Sequence, residues 1–378
     1  MARQVLITYG AATFLLLLAA AAPAVGSNSL SVSRSLPVPS SAAADGNAAL
    51  SRQPQSGRRV NWWFNALNRS FGAHEAAVAA KHRQAITGVY QWIQPRGFYV
   101  LPNGSVAFPP DENILAATTP LLAMGLESGV CFSLHPGSLE GGGALSAIHA
   151  LVSAAVKFNL TSYIVDLEYP GPTPIPPPPA PGGNGTTTWH KANGTGQTGT
   201  GWNNVYCSEA EAHLYAGFLR ALVAAMHAHG KRVGLCIEMG CIIGPEYYWK
   251  LYADTGVDFL HSMGSTYAGT NVTLNEQWLH REAMAIGPDL VHRLAVGIGS
   301  TSPTDPTIVG CEPPNVVAPW PTRYNWTEPK LQKFVAFASA TGVGEIALYR
   351  HDMGQMAADC VPAWYYLALQ RFLSGSST

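Results

Sequence analysis

Asp166 and Glu168 end an apolar run, Thr161-Ser162-Tyr163-Ile164-Val165-Asp166-Leu167-Glu168-Tyr169-Pro170. Side chains alternate along a strand, so two carboxylates spaced i, i+2 point to the same face. At roughly 3.3 Å of rise per residue their Cα atoms lie about 7 Å apart. Like charges that close disfavour double ionisation, so one carboxyl of the pair holds a proton near neutral pH. A protonated carboxyl beside an ionised one is the equipment of a general acid. The bland alternative is an ion pair at the end of a strand, with Arg350 as the partner.

The surrounding sequence indicates which element carries the pair. From Val60 onward, short apolar runs alternate with helical patterns. The runs are Val60–Phe64, Gly88–Ile93, Val130–Leu134, Tyr163–Glu168, Val233–Met239, Val257–Met263, Leu294–Gly299 and Glu345–Tyr349. The helical patterns cover 73–83, 113–126, 144–158, 209–229, 245–253, 274–286, 329–340 and 362–373. Helix punctuation agrees with them. Ser208 and Glu211 form a capping box ahead of the fourth pattern, and Gly230 closes it. Leu145, Ile148, Val152 and Ala155 are expected to form a core-facing stripe. Eight strands alternating with eight helices predict an α/β fold, a (β/α)8 TIM barrel spanning 59–378. Asp166 and Glu168 end its fourth strand, and active sites of this architecture lie at the C-terminal ends of the strands. Residues 170–206, rich in Pro and Gly, form a long insertion directly after Glu168, a place where long loops are usually functional or disordered.

Other residues could serve the same site. Glu238, at the end of the fifth strand, is a second acidic candidate. With Asp166 as nucleophile and Glu238 as acid it would allow an ordinary retaining glycosidase arrangement, at about 5.5 Å. Its other roles are an ion pair or a bond to a substrate hydroxyl. Aromatics crowd the strand ends: Trp62, Trp63, Tyr90, Trp92, Tyr169, Trp202, Tyr267 and Tyr349. As a group they suit a carbohydrate cleft, because sugar rings stack C–H faces on such surfaces. Trp62 and Trp63 cannot both face inward. The 12 histidines include no H-E-x-x-H and no H-x-H on an early strand, and Gly141–Gly143 lacks the Lys-Ser/Thr of a P-loop, so no metal and no cofactor is expected.

The Asp166-Leu167-Glu168-Tyr169-Pro170 segment resembles the family-18 glycoside hydrolases, the chitinases and their relatives. Their fourth strand ends in D-x-x-D-x-D-x-E, often followed by Tyr-Pro. Val257–Met263 is similar to that family's sixth strand, which carries a Met (here Met263) and a nearby Tyr, whose position falls on Ser265 with Tyr267 the nearest substitute. Gly344–Tyr349 is similar to its eighth strand, with Tyr349 near the family's Trp. Phe132-Ser133-Leu134-His135-Pro136 is similar to its S-x-G-G on strand three, with His135 and Pro136 in place of the two glycines. Thr161 and Ile164 stand where the family's first and middle aspartates fall. The resemblance implies Glu168 as general acid/base and Asp166 as the carboxylate orienting a substrate N-acetyl group, whose carbonyl attacks the anomeric carbon. It further implies an oligo- or polysaccharide substrate containing N-acetylhexosamine, with Trp92, Tyr169, Glu238, Met263, Tyr267 and Tyr349 binding it. A non-catalytic sugar-binding barrel is the rival reading.

Met1-Ala2-Arg3, an apolar run over Val5–Ala22 and a small-residue end at Ala22–Ser27 read as a secretory signal peptide over 1–26. Residues 27–58, rich in Ser, Ala and Pro, read as a disordered linker. The expected destination is secreted or lumenal, with no membrane contact once the signal is removed. Sequons at Asn68, Asn103, Asn159, Asn184, Asn193, Asn271 and Asn325 agree with that route. Charged residues make up 12% of the chain against about 25% in a typical domain, a deficit that glycans would offset. A net charge of −1 leaves no basic stripe for nucleic acid. The six cysteines lack C-x-x-C spacing, so redox and zinc roles are not expected. Cys207 with Cys241, and Cys311 with Cys360, fall in neighbouring loops at the barrel mouth and are expected as disulfides. Cys131 and Cys236 fall within strands that are not neighbours and are expected as buried thiols.

Overall fold

The computed structural model describes residues 57–65, 73–93, 97–101, 103–134, 136–139, 143–166, 209–237, 247–299, 326–349 and 362–376. The expected signal peptide, almost all of the linker and the 170–206 insertion lie outside them. So do Glu168, Tyr169, Glu238, Arg350, Ser208, the four cysteines 207, 241, 311 and 360, and Asn68, Asn184, Asn193 and Asn325.

The strands are β1 (Arg59–Asn65), β2 (Gly88–Trp92), β3 (Phe98–Val100), β4 (Val106–Ala107), β5 (Glu127–Leu134), β6 (Ser162–Val165), β7 (Arg232–Ile237), β8 (Phe259–Ser262), β9 (Leu294–Gly299) and β10 (Glu345–Tyr349). Eight of them pair in parallel in the order β1-β2-β5-β6-β7-β8-β9-β10, and β10 pairs back onto β1, closing a barrel. These eight are the eight apolar runs of the sequence. Around them lie α1 (Ala73–Lys81), α2 (Asp111–Ala123), α3 (Gly143–Lys157), α4 (Glu209–His227), α5 (Tyr247–Ala253), α6 (Met263–Tyr267), α7 (Val272–Ile286), α8 (Glu328–Thr341) and α9 (Ala363–Ser374). All but α6 match a helical pattern. Strands buried on both faces read as continuous apolar runs, which is why they were visible.

Period-two alternation divides each strand between two cores. Trp63, Tyr90, Cys131, Ile164, Cys236, Phe259, Met263, Ala295 and Ala347 fill the barrel interior. Their neighbours Trp62, Val89, Val130, Tyr163, Val165, Leu235 and Leu260 face the helices. Trp62 and Trp63 do point opposite ways. Within the barrel, Tyr90 stacks on Phe259 with centroids 5.4 Å apart, and Trp63 meets Tyr90 edge-on at 5.6 Å. Gly234 makes room for that stack, because a Cβ there would lie 2.0 Å from the Phe259 ring.

The base of the barrel holds a polar network that the sequence reading did not anticipate. Arg59 and Arg232, the first residues of β1 and β7, both pair with Glu127, the first residue of β5. Glu345, which opens β10, accepts a hydrogen bond from Tyr90 Oη at 2.9 Å, and Asn61 Nδ2 donates to the same phenol at 2.9 Å. Burial pushes the Glu345 carboxyl above its ordinary range, against the pull of Arg232.

Some local expectations change. The α3 stripe is rotated: its buried face is Ala147, Ile148, Leu151, Ala154 and Ala155, and Leu145 is exposed. A β3–β4 hairpin, invisible as periodicity in so short a stretch, extends the sheet beside the C-terminal half of β5. Arg58, at the far end of the expected linker, donates to Ser339 and to the Phe372 carbonyl and lies 5.0 Å over the Phe372 ring. Cys131 and Cys236 are buried thiols, as expected.

Candidate active site

Asp166 follows the last residue of β6. Its backbone N–H donates to Phe132 O at 3.0 Å, and Ser133 Oγ donates to its carbonyl at 2.6 Å. The strand therefore stays registered against β5 one residue beyond its formal end. Two residues earlier, Ile164 belongs to the barrel interior, while Tyr163 and Val165 face out. The alternation places Asp166 on the inward face, one layer above Ile164. It is 8% exposed. The layer beneath it is apolar, with Ile164 standing where the family pattern has an aspartate. Glu168 and Tyr169 lie outside the described residues, as does Glu238 beyond the end of β7.

Trp92 ends β2 and packs against the interior cluster from a half-buried position. Gly97 fixes it: φ is +67°, and a Cβ there would lie 2.7 Å from the indole. The N–H of Gly97 closes the turn on Ile93 O at 2.8 Å. Trp92 is thus the described aromatic that borders both the interior and solvent. Trp63 and Tyr90, counted with it in the sequence, are packed in the layer below, and Trp62 lies outside the barrel.

Met263 is buried in the interior cluster at 3% exposure. It does not end β8 but opens α6, whose N-terminus is capped by Ser262 Oγ accepting from Ser265 N–H at 3.0 Å. Tyr267 is the last residue of that helix, and Tyr349 the last of β10, opposite Gly299 of β9. The side chains of both tyrosines lie outside the described set.

Sequence reasoning passed over His261, although the alternation Phe259, His261, Met263 already put it on the inward face. It is fully buried, with its ring 5.2 Å from that of Trp63. Its Nε2 lies 3.2 Å from Thr266 Oγ1, whose own proton goes to Ser262 O at 2.8 Å. The hydroxyl must therefore accept, so the imidazole carries its proton on Nε2. Burial pulls the His261 pKa down to about 3, which keeps the ring neutral. Gly297 leaves space for Thr266: a Cβ there would meet Oγ1 at 1.6 Å. Among the described residues no group of three or more His, Cys, Asp and Glu side chains could hold a metal ion.

No family model matches the chain, and no curated protein matches it. Solved structures do. A chitinase from Chromobacterium violaceum superposes with a TM-score of 0.52 at 12% identity, over 84% of this chain and 99% of that one. The spore cortex-lytic enzyme SleL of Bacillus megaterium gives 0.53 at 9% identity, over 83% and 73%. A GH18 chitinase from Cycas revoluta, solved with (GlcNAc)4, gives 0.51 at 11% identity, over 83% and 99%. The chain thus shares the barrel fold of family-18 chitinases and cortex-lytic enzymes, as the segment at Asp166 led us to expect.

Proposed function

We propose that this protein is a secreted glycoside hydrolase acting on a glycan that contains N-acetylhexosamine, with Glu168 as general acid/base. The observation that supports this reading best is the placement of Asp166: nearly buried, at the C-terminal end of the fourth barrel strand and two residues before Glu168. In the proposed reaction Glu168 protonates the glycosidic oxygen. Asp166 orients the substrate's N-acetyl group, whose carbonyl oxygen attacks C1, and water then opens the resulting ring with Glu168 as base. Trp92 offers a stacking face at the β2 side of the mouth, and Met263 closes the β8 side. Tyr169, Glu238, Tyr267 and Tyr349 complete the proposed binding set. The reading includes removal of residues 1–26, and disulfides Cys207–Cys241 and Cys311–Cys360 holding the mouth loops.

The test is turnover of labelled N-acetylglucosaminides and longer oligosaccharides by the secreted chain, beside Glu168→Gln. Gln keeps the shape but has no proton to give, so kcat should fall by at least about 10², the lower end for general acid–base catalysis. A thiazoline analogue of N-acetylglucosamine should inhibit, because it imitates the cyclic intermediate. Equal turnover by the variant would remove the central claim. A fluorosugar trapped covalently on Asp166 or Glu238 would replace it with the ordinary retaining mechanism. Tight oligosaccharide binding without turnover would leave a sugar-binding barrel.

A further inference from the structure

Five of the described asparagines fall into two chemical groups. Asn61 and Asn275 are buried, lie outside any sequon, and use the amide nitrogen within the fold: Nδ2 donates to Tyr90 Oη at 2.9 Å in one and to Gly269 O at 3.0 Å in the other. Asn103, Asn159 and Asn271 each open a sequon, are exposed, and use only the amide oxygen. Asn103 Oδ1 accepts from the N–H of Ser105 at 3.0 Å and from its hydroxyl at 2.7 Å. Asn159 Oδ1 accepts from Lys231 Nζ at 2.9 Å. Asn271 Oδ1 caps α7, accepting from Leu274 N–H at 3.1 Å. A backbone N–H and an ammonium can only donate, so these contacts fix which amide atom is oxygen. In all three, Nδ2 is left to solvent.

Local structure explains why an asparagine stands at each place. Asn103 makes a turn, Asn159 takes the left-handed conformation with φ +50° after α3, and Asn271 is an N-cap. At Asn103 it also explains the hydroxyl two residues on, since Ser105 Oγ donates to Oδ1, but at Asn159 and Asn271 it does not. Thr161 Oγ1 is buried with no hydrogen-bond partner, a position where the fold alone would favour valine. Thr273 is exposed in the first turn of α7, where a β-branched residue is a poor helix former. Both hydroxyls are needed to complete a sequon and are otherwise unused.

We propose that Asn103, Asn159 and Asn271 carry N-linked glycans, and that each sugar hangs from an atom the fold does not use while the amide oxygen keeps its structural bond. In the transfer, Nδ2 attacks C1 of a polyprenyl-diphosphate-linked oligosaccharide. The N–C1 bond forms, the C1–O bond to the diphosphate breaks, and the amide proton ends on the departing polyprenyl diphosphate. The product is a secondary amide whose oxygen still accepts, so the cap on α7, the turn at Ser105 and the Lys231 bond survive. Two of the glycans would flank the barrel mouth. Asn103 lies in the β3–β4 turn beside the C-terminal end of β5, and Asn271 caps α7, the second helix after β8. An open groove formed by Thr270, Thr273, Pro329, Lys330 and Lys333 adjoins Asn271 and leaves space for its first sugar. Asn159, between α3 and β6, is on the opposite face. This inference does not depend on the glycosidase reading.

The test is to secrete the full chain from a eukaryotic host and release N-glycans with peptide amidase in heavy-oxygen water, which marks every formerly occupied Asn as labelled Asp. All three sites should be labelled. Thr161→Val should abolish the label at Asn159 alone, and Thr273→Ala that at Asn271 alone. In chain refolded without sugar, both variants should melt at or above the wild-type temperature, because the hydroxyls do no work in the fold. Unlabelled Asn at any of the three sites in secreted protein would overturn the proposal for that site. A label surviving Thr161→Val, or a lowered melting temperature for that variant in the sugar-free chain, would overturn the argument from the hydroxyl.

Discussion

Gly297→Ala tests how tightly α6 is held against the barrel. The new Cβ would lie 1.6 Å from Thr266 Oγ1, 2.6 Å from Thr266 Cβ and 2.9 Å from Thr266 Cα. Ordinary carbon contacts begin near 3.5 Å. Rotating the Thr266 side chain cannot relieve the second and third overlaps, so either α6 or β9 must move by an ångström or more. Overpacking of this kind typically costs about 1–3 kcal/mol, and sometimes more. Displacing α6 also endangers the bond between His261 Nε2 and Thr266 Oγ1, and a buried donor left alone costs about 1–3 kcal/mol. Together these give about 2–6 kcal/mol. At roughly 2–4 °C per kcal/mol, the figure for somewhat smaller domains, the midpoint should fall by about 4–24 °C. Thermal unfolding followed by near-ultraviolet circular dichroism reads this directly. The double variant Gly297→Ala/Thr266→Ala should not recover, because the Cβ and Cα overlaps remain. A melting temperature within about 2 °C of wild type, which is less than about 1 kcal/mol, would refute the close packing of α6 on β9.

Gly234→Ala is the contrasting case, since the clash at 2.0 Å is with the far edge of the Phe259 ring. We expect it to lose about 2–4 kcal/mol in urea unfolding and the double variant with Phe259→Leu to recover more than half of that; no recovery would mean that the strands themselves are displaced. His261 predicts a pH effect of definite sign. Its folded pKa, about 3, lies below the unfolded value near 6.5, so the unfolded chain binds a proton first as pH falls. Stability should therefore drop between about pH 6.5 and 3, by up to several kcal/mol, and His261→Asn should flatten that slope in urea titrations at stepped pH. An unchanged slope would mean that the ring is charged or solvated in the folded state.

The barrel was legible because its signal is repeated. Each strand is buried on both faces and each helix on one, so composition and period agree eight times over. What lacked a period was missed. The strands of the β3–β4 hairpin have three and two residues, too short for alternation to register. The α3 stripe was displaced because alanines carried the buried face, and alanine is a weak marker of burial compared with Leu145. The base network was missed for a different reason. Arg59, Glu127, Arg232 and Glu345 each stand at the first position of a strand, where a charged residue reads as a boundary. Only the closed geometry brings four such boundaries together. At the mouth, Asp166 was legible because a carboxylate at the C-terminal end of an apolar strand has few structural reasons to be there. Trp92 could be listed, but Gly97 is what places it, and a glycine's role depends on a contact that sequence does not display.

The inward-facing residues form a sequence of layers with different electrical character. The base holds Arg59, Arg232, Glu127 and Glu345, with Tyr90 and Asn61 reaching into it. The middle holds Trp63, Cys131, Ile164, Cys236 and a neutral His261, so it contains no fixed charge. The top holds Asp166, whose carbonyl accepts from Ser133 Oγ on the neighbouring strand. Rings and aliphatic groups conduct no protons, and among the described residues no ionised side chain bridges the middle layer. The ionic base is therefore free to serve stability, as the N-terminal face of such barrels generally does. In the family-18 pattern the position of Ile164 is an aspartate, which would put a second carboxyl beneath the first. Here Ile164 fills that layer, so the inward-facing side chain one step below Asp166 on β6 is apolar and uncharged.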